Sequence, residues 1–160
     1  MIIRCQARDS ASIYRIINEA ARAYDGVIPA DRYHQPYMTA DELAAEMKRV
    51  TFYGWQAGGE LVGIMGIEPI RDATLIRHAY ILPEWQHQGI GSKLLNYLKR
   101  QVSTSHLLVG TWADARWAIA FYHRHSFSLL PGKDELLKTY WNIPQRQIET
   151  SVVLGLEINV

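Results

Sequence analysis

Cysteine is all but missing. Cys5 stands alone, which excludes an internal disulfide framework and a cysteine-built zinc site. An excess of one charge is missing too: 17 basic against 16 acidic side chains leave +1, so no global field draws the chain to nucleic acid or an anionic membrane. No apolar run approaches the roughly 18 residues that a membrane span needs. The opening Met1-Ile2-Ile3-Arg4-Cys5-Gln6 is interrupted too soon for a secretory core segment. Repeats, low-complexity tracts and linkers are also lacking. What remains is 160 residues, 48% of them hydrophobic, enough for one substantial core. The expectation is a single domain over 1–160, cytoplasmic, and a monomer or homodimer.

Metal and nucleic-acid chemistry find little support. His123 and His125 lie two apart on a helical pattern and so point to different faces, and no carboxylate flanks them at ligand spacing. Arg22, Arg32, Lys48 and Arg49 are scattered, with no basic stripe interleaved with aromatics. No metal and no nucleic-acid partner are expected. Aromatics, by contrast, are plentiful: five Trp and nine Tyr suit an aromatic-lined cleft or an interface.

Periodicity gives the element order. Ile2 to Gln6 reads as a strand. Asp9 or Ser10 caps a helix that places Ile13, Ile16, Ile17, Ala20 and Tyr24 on one face. Asp25 to Met38 reads as a long loop. Thr39-Ala40-Asp41-Glu42 is a capping box opening a second helix to about Lys48. Thr51–Ala57 and Glu60–Ile67 flank Gly58-Gly59, a strong hairpin signal because a primed turn needs positive φ at its centre. Thr74–Leu82 completes the meander. A helix over Gly89–Val102, a strand over His106–Trp112 and a helix capped by Asp114 follow. Phe127–Leu130 reads as a strand, Asp134 starts another helix, and Ile148–Leu156 is the last strand. This order is a mixed α/β sheet, not the strict βαβ alternation of a doubly wound domain.

The most informative stretch is Ile81-Leu82-Pro83-Glu84-Trp85-Gln86-His87-Gln88-Gly89-Ile90-Gly91-Ser92. A strand ends at a proline, and two glycines open an amphipathic helix. The helix start exposes unpaired N–H groups and about half a positive charge. Glycines let an anion approach them, which suits a phosphate or diphosphate. Close packing of a helix on a sheet calls for glycine as well, so spacing alone leaves both readings open. Two well-known phosphate loops fit poorly. Leu94 stands where a dinucleotide fingerprint wants its third glycine, and the only Gly-Lys, Gly132-Lys133, is followed by Asp134.

Gln86-His87-Gln88-Gly89-Ile90-Gly91, preceded by Ile81-Leu82-Pro83-Glu84, resembles the acetyl-CoA signature Gln/Arg-x-x-Gly-x-Gly/Ala of the GNAT N-acetyltransferases. The resemblance implies their acyl-CoA N-acyltransferase fold, a central, mostly antiparallel sheet flanked by helices. It also implies acetyl-CoA as cosubstrate, no metal, and a small-molecule or peptide amine as acceptor. Residue by residue, the backbone at Ile81 and Leu82 is expected to pair with the pantetheine arm. Gln86, His87, Gln88, Gly89, Ile90, Gly91 and Ser92 are expected to wrap the diphosphate.

The family's second signature, Asn-x-x-Ala-x-x-φ-Tyr then Gly-Phe, is similar to Ala115 through Tyr122 followed by Ser126-Phe127. Ala118, Phe121, Tyr122 and Phe127 agree. Ala115 stands for the asparagine and Ser126 for the glycine, which puts one cofactor contact and the left-handed helix end in question. Tyr122 is the expected general acid. A departing coenzyme A thiolate resembles a cysteine thiolate, with a conjugate acid near about 8.5, and a phenol near about 10 stays protonated to meet it. The same tyrosine also reads as a plain core residue. A lysine-like amine must first lose a proton, costing roughly 4.6 kcal/mol at pH 7. Glu68 and His78 are the candidate bases, each equally readable as a structural residue. For the acceptor side, the 25–38 loop and its approach offer Tyr24, Asp25, Asp31, Tyr33 and Tyr37: aromatic walls, and acids to attract an ammonium. The expectation is direct attack of a primary amine on acetyl-CoA. The alternative is a non-catalytic acyl-CoA-binding or sensing domain of the same fold.

Overall fold

The chain runs β1 (Ile2–Arg4), α1 (Ser10–Ala20), α2 (Ala40–Glu46), β2 (Thr51–Ala57), β3 (Glu60–Ile70), β4 (Ala73–Ile81) and α3 (Ile90–Gln101). It continues through β5 (His106–Trp112), α4 (Arg116–Arg124), β6 (Ser128–Leu129), α5 (Lys133–Tyr140), α6 (Gln145–Glu149) and β7 (Ser151–Glu157). These elements come from a computed structural model describing residues 1–158; the last two residues of the expected 1–160 domain lie outside the described residues.

Local chemistry sets most boundaries. Gly58 and Gly59 have φ of +58° and +81°, the primed turn that the hairpin of β2 and β3 requires. The Thr39 hydroxyl accepts from the Glu42 amide at 3.1 Å while Glu42 accepts from the Thr39 amide at 3.2 Å, a complete capping box for α2. Asp9 does not cap α1 through its side chain; it accepts instead from the Gln6 amide at 2.7 Å, tightening the short turn before the helix. Asp114 is not a cap either. Ala115 is the residue before α4, and its amide donates to Trp112. The last strand begins at Ser151, not Ile148. The carbonyl of Pro144 accepts from the amides of Gln147 and Ile148, so a short helix forms there and Ile148 turns into the core.

All seven strands form one sheet in the order β1-β2-β3-β4-β5-β7-β6. Every neighbouring pair is antiparallel except β4 with β5. Helices cover both faces. Alternation on β2 shows it: Tyr53 packs on Tyr97 of α3, while Phe52 stacks on His78, which meets Glu46 of α2. Both covering stripes are those the 3.6-residue period demands. Ile13, Ile16, Ile17 and Ala20 of α1, and Ile90, Leu94, Leu95 and Leu98 of α3, are buried. Each isoleucine or leucine among them contributes about 1.5–3 kcal/mol by leaving water. Truncating the fully buried Leu95 to Ala would cost about 2–5 kcal/mol.

The parallel pairing is short. It joins Ala73–Ile76 to His106–Val109 and stops. Beyond it β4 still pairs with β3, as far as Ile81 opposite Gly63, and β5 still pairs with β7, as far as Trp112 opposite Ser151. Both strands therefore continue, but away from each other. A bulge begins the parting: between the pairs Arg77–Gly66 and Tyr80–Ile64, β4 carries one residue more than β3, and His78 sits there at φ +56°.

Candidate functional site

The parted ends of β4 and β5 leave backbone groups that no strand claims. The Leu82 amide donates to Val62 at 2.9 Å, toward β3, so by strand alternation Ile81 turns its polar groups toward the gap. There the Gln86 side chain donates from Nε2 to the Ile81 carbonyl at 3.0 Å. Of the two backbone positions expected to pair with an incoming chain, Ile81 faces the gap and Leu82 is already engaged.

After β4 the chain makes a single turn over Pro83–Trp85 and enters α3 through His87 at φ +61° and Gly89 at φ +81°. The amide of Lys93 donates to the Gly89 carbonyl at 3.0 Å. The preceding amides, Gly89 through Ser92, donate to no described residue, and no side chain caps this helix. Four donors and the positive end of a twelve-residue helix thus lie open where the loop places its glycines. Gly89 is not a packing glycine, since a Cβ there would meet nothing within 4 Å; its requirement is the left-handed backbone. A Cβ on Gly91 would meet the Phe121 ring of α4 at 3.3 Å. Gln88 folds back weakly, from Nε2 to the Glu84 carbonyl at 3.5 Å.

Helix α4 crosses this helix start and brings Tyr122 with it. Tyr122 is 4% exposed, edge-on to Phe121 and Phe127. Its hydroxyl bonds to no described residue, yet it is not sealed. The fully buried side-chain polar atoms without a partner, among the described residues, are Arg32 Nε and His78 Nε2. Burial, with a smaller contribution from Tyr24, pushes the Tyr122 phenol above its ordinary value, so it is fully protonated near neutrality. The second signature's departures resolve differently. Ala115 is completely buried with Ile28 and Trp112, a methyl filling an apolar cluster. Ser126 does take the left-handed conformation, at φ +72°, so the helix ends as the glycine of the signature would end it.

Aromatic side chains gather beside Tyr122. The Tyr24 and Tyr80 hydroxyls lie 3.4 Å apart, Tyr24 stacks on the exposed Trp117, and the Trp112 indole donates to the Tyr37 hydroxyl at 3.0 Å. Tyr33 stacks on Tyr37. Burial raises the phenols of Tyr24, Tyr37 and Tyr80. The structure thus joins Tyr24, Tyr33 and Tyr37 into one wall. The two loop acids are not part of it. Asp31 is exposed and lies 3.7 Å from Arg146 Nε, and Asp25 is exposed at the end of the turn after α1.

Glu68 and His78 also come together, but in an ion cluster. Glu68 accepts from Arg77 at 3.1 Å and from Arg49 at 3.2 Å, one on each oxygen. His78 Nε2 lies 3.5 Å from Glu46, itself paired with Arg77 and Arg49. No hydrogen bond ties either to Tyr122. Sequence reasoning missed Tyr80, Trp112, Trp117 and His125 as neighbours of the gap. Tyr80 was legible in part, lying two residues before Leu82 on the same strand. The others depend on helix and strand ends that meet only in three dimensions.

The sequence model described as the acetyltransferase (GNAT) family matches residues 11–127. Solved structures with a similar fold include the PaiA N-acetyltransferase of Thermoplasma acidophilum in complex with coenzyme A, at 15% identity, TM-score 0.75 and 98% coverage of both chains. The ribosomal-protein-S18-alanine N-acetyltransferase of Escherichia coli matches at 16% identity and TM-score 0.72, covering 100% of this chain and 94% of that one. A GNAT-family acetyltransferase of Staphylococcus aureus Mu50 matches at 14% identity and TM-score 0.76, with 99% coverage of each.

Proposed function

From the premise that the chain belongs to the acetyltransferase (GNAT) family, we propose that it moves the acetyl group of acetyl-CoA to a primary amine by direct attack. The observation that carries this reading is the gap between β4 and β5, with the open amides of α3 at its mouth and the Tyr122 phenol close to Tyr80 of β4 and to Tyr24. An acyl-CoA needs each part. Its diphosphate meets N–H donors and a helix dipole, approached closely over Gly89 and Gly91. Ser92 and the Gln86 to Gly89 loop add contacts around it. Its pantetheine arm lies between the strands, where the Ile81 amide is not engaged by β5 and the Ile81 carbonyl, held by the Gln86 side chain, exchanges that partner for the arm. Acetyl-CoA would supply the activated thioester.

Tyr122 is the proposed acid. As the amine nitrogen bonds to the acetyl carbon and the C–S bond breaks, the phenol donates its proton to the leaving sulfur. Burial keeps that proton in place beforehand. Help of this kind amounts to about 10²–10⁴-fold. The acceptor enters along the wall of Tyr24, Tyr33, Tyr37 and Trp117. Of the two loop acids, Asp31 already faces Arg146, which leaves Asp25, exposed off the wall but next to Tyr24 in the chain, as the acid proposed to draw an ammonium group toward it.

The acceptor's own proton is the less supplied half of the reaction. Both oxygens of Glu68 face guanidinium groups, and His78 Nε2 is sealed from solvent. We read both as structural and assign proton removal to water. On that reading an α-amine, with a pKa near about 7.7–8.0, loses its proton near neutrality at far smaller cost than a lysine amine near about 10.4. The test is a thermal-shift and calorimetric measurement of coenzyme A binding, followed by acetyl-CoA turnover over a panel of α-amines, lysine peptides, polyamines and arylalkylamines. Binding with turnover on at least one amine supports the proposal. Tight binding with no turnover on any of them supports the sensing domain instead.

A further inference from the structure

We infer that His125 is a positioning residue for the coenzyme: it donates from Nε2 to the Ser92 hydroxyl oxygen, leaves that hydroxyl's proton to a diphosphate oxygen, and gains a proton as the diphosphate arrives. This rests on the proposal that the α3 mouth holds the diphosphate.

The observation is a contact between two helices. Ser92, third residue of α3, has its hydroxyl 2.9 Å from His125 Nε2, at the end of α4. A hydroxyl has one proton to give. If Nε2 is bare, Ser92 gives that proton to the ring and offers the anion nothing but a lone pair. If Nε2 carries a proton, the ring gives to Ser92, and the hydroxyl proton is free for the anion. The His125 tautomer therefore decides whether Ser92 repels or holds a diphosphate. Neither the helix start nor the glycines require a histidine here.

The surroundings set the charge. From α3, Ser92 and Lys99 face His125, the latter donating from Nζ to the His125 carbonyl at 3.1 Å. From α4 itself come Arg124 and the Phe121 ring, whose centroid is 4.8 Å from that of the imidazole. Partial burial, then Lys99 and Arg124, pull the imidazole below its ordinary value, so the free protein holds it neutral. The arrival of a multiply charged anion one hydroxyl away reverses that balance, because an opposite charge favours the protonated ring. Binding should therefore raise its pKa. A group whose pKa rises on binding tightens binding as pH falls through the interval between the free and bound values.

Calorimetry of coenzyme A in buffers of different ionisation enthalpy reads the protons taken up. The coenzyme's own phosphate also titrates in this range, so the quantity of interest is wild type minus His125→Gln. The glutamine amide can still donate to Ser92 but cannot titrate. Expected are fractional proton uptake on binding in excess of the variant's, growing as pH falls toward the free imidazole's range, and a Kd that falls more steeply toward acid in wild type. Affinity near pH 8 should be retained within about threefold in His125→Gln, a difference under about 1 kcal/mol, but lost by about tenfold in His125→Leu and in Ser92→Ala. Melting temperatures of the free variants separate folding from binding. Equal proton uptake in wild type and His125→Gln, or unimpaired binding by a folded His125→Leu, overturns the inference and leaves the proposed function standing. Failure of wild type to bind coenzyme A overturns both.

Discussion

The amide of Phe127 donates to the carbonyl of Tyr122 at 3.0 Å, and that of Ser126 to His123 at 3.1 Å. Together they close the double turn that ends α4 and fixes the height of Tyr122 in the helix. The left-handed residue in this turn is Ser126, at φ +72°, where an L side chain is strained. Relief of about 1 kcal/mol is available to glycine, which pays part of it back as unfolded-chain entropy. Ser126→Gly should therefore raise the melting temperature by about 1–4 °C and leave turnover unchanged. Differential scanning calorimetry checks it; a lower melting temperature would show that the serine makes a contact the turn needs.

Tyr122→Phe removes one oxygen and keeps the packing against Phe121 and Phe127. If the phenol protonates the departing sulfur, kcat should fall by at least tenfold, or about 1.4 kcal/mol in the barrier, with coenzyme A affinity changed little. The split matters more than the loss. A matching rise in Kd would place the hydroxyl in cofactor binding, and an unchanged kcat would remove it from the chemistry.

Glu46 sits among two guanidinium groups and an imidazole: Oε1 lies 3.2 Å from Arg77 and 3.5 Å from His78, and Oε2 2.9 Å from Arg49. Burial on its own pushes this carboxyl up, but His78, Arg77 and Arg49 outweigh it and hold it at about 2, against an ordinary 4.5. Because the folded value is the lower one, the unfolded chain takes up the proton first as pH falls. The stabilisation is whole above about 4.5 and is lost as pH drops toward about 2. Glu46→Gln should cost about 1–2 kcal/mol at pH 7, solvent screening part of the pair. The gap between variant and wild type should close between pH 4.5 and 2 in urea denaturation. A gap independent of pH would mean that shape rather than charge is lost.

The elements most legible in the sequence were those with a local cause. Gly58-Gly59, Thr39 with Glu42, and Gly89 before an amphipathic run each state their geometry within four residues, and each is where the structure has it. Asp114 and Ile148 misled for the same reason. A cap-like aspartate and an apolar alternation are local hints, and the Pro144 turn and the packing of Ala115 override them. The gap itself left no local trace, since β4 and β5 each keep a strand-like pattern past the point where they part; the expectation that the strand around Ile81 and Leu82 splays from its neighbour comes from the family resemblance alone. Nor does any spacing announce that Glu68 meets Arg49 and Arg77, or that Ser92 meets His125, 33 positions on. Such pairings belong to the fold, and with them go the side chains that set charge at the mouth.

The two glycines of the mouth answer different needs, and that difference can be measured. Gly89 has open space around it and a left-handed backbone, so Gly89→Ala should strain the chain by about 1 kcal/mol yet leave the amides uncovered. Gly91 is the reverse. Its backbone is ordinary helix, but a side chain there leans on Phe121 at 3.3 Å and stands beside the open donors. Gly91→Val therefore places two methyl groups where an anion must come within hydrogen-bond reach. The expected outcome is a lowered melting temperature with coenzyme A affinity kept within about threefold for Gly89→Ala, and at least a tenfold, or about 1.4 kcal/mol, loss of affinity for Gly91→Val. Isothermal titration of both variants, beside their melting curves, separates strain from obstruction. If Gly91→Val folds and binds as wild type does, the diphosphate does not sit on these amides, and the ligand must be sought elsewhere along the gap.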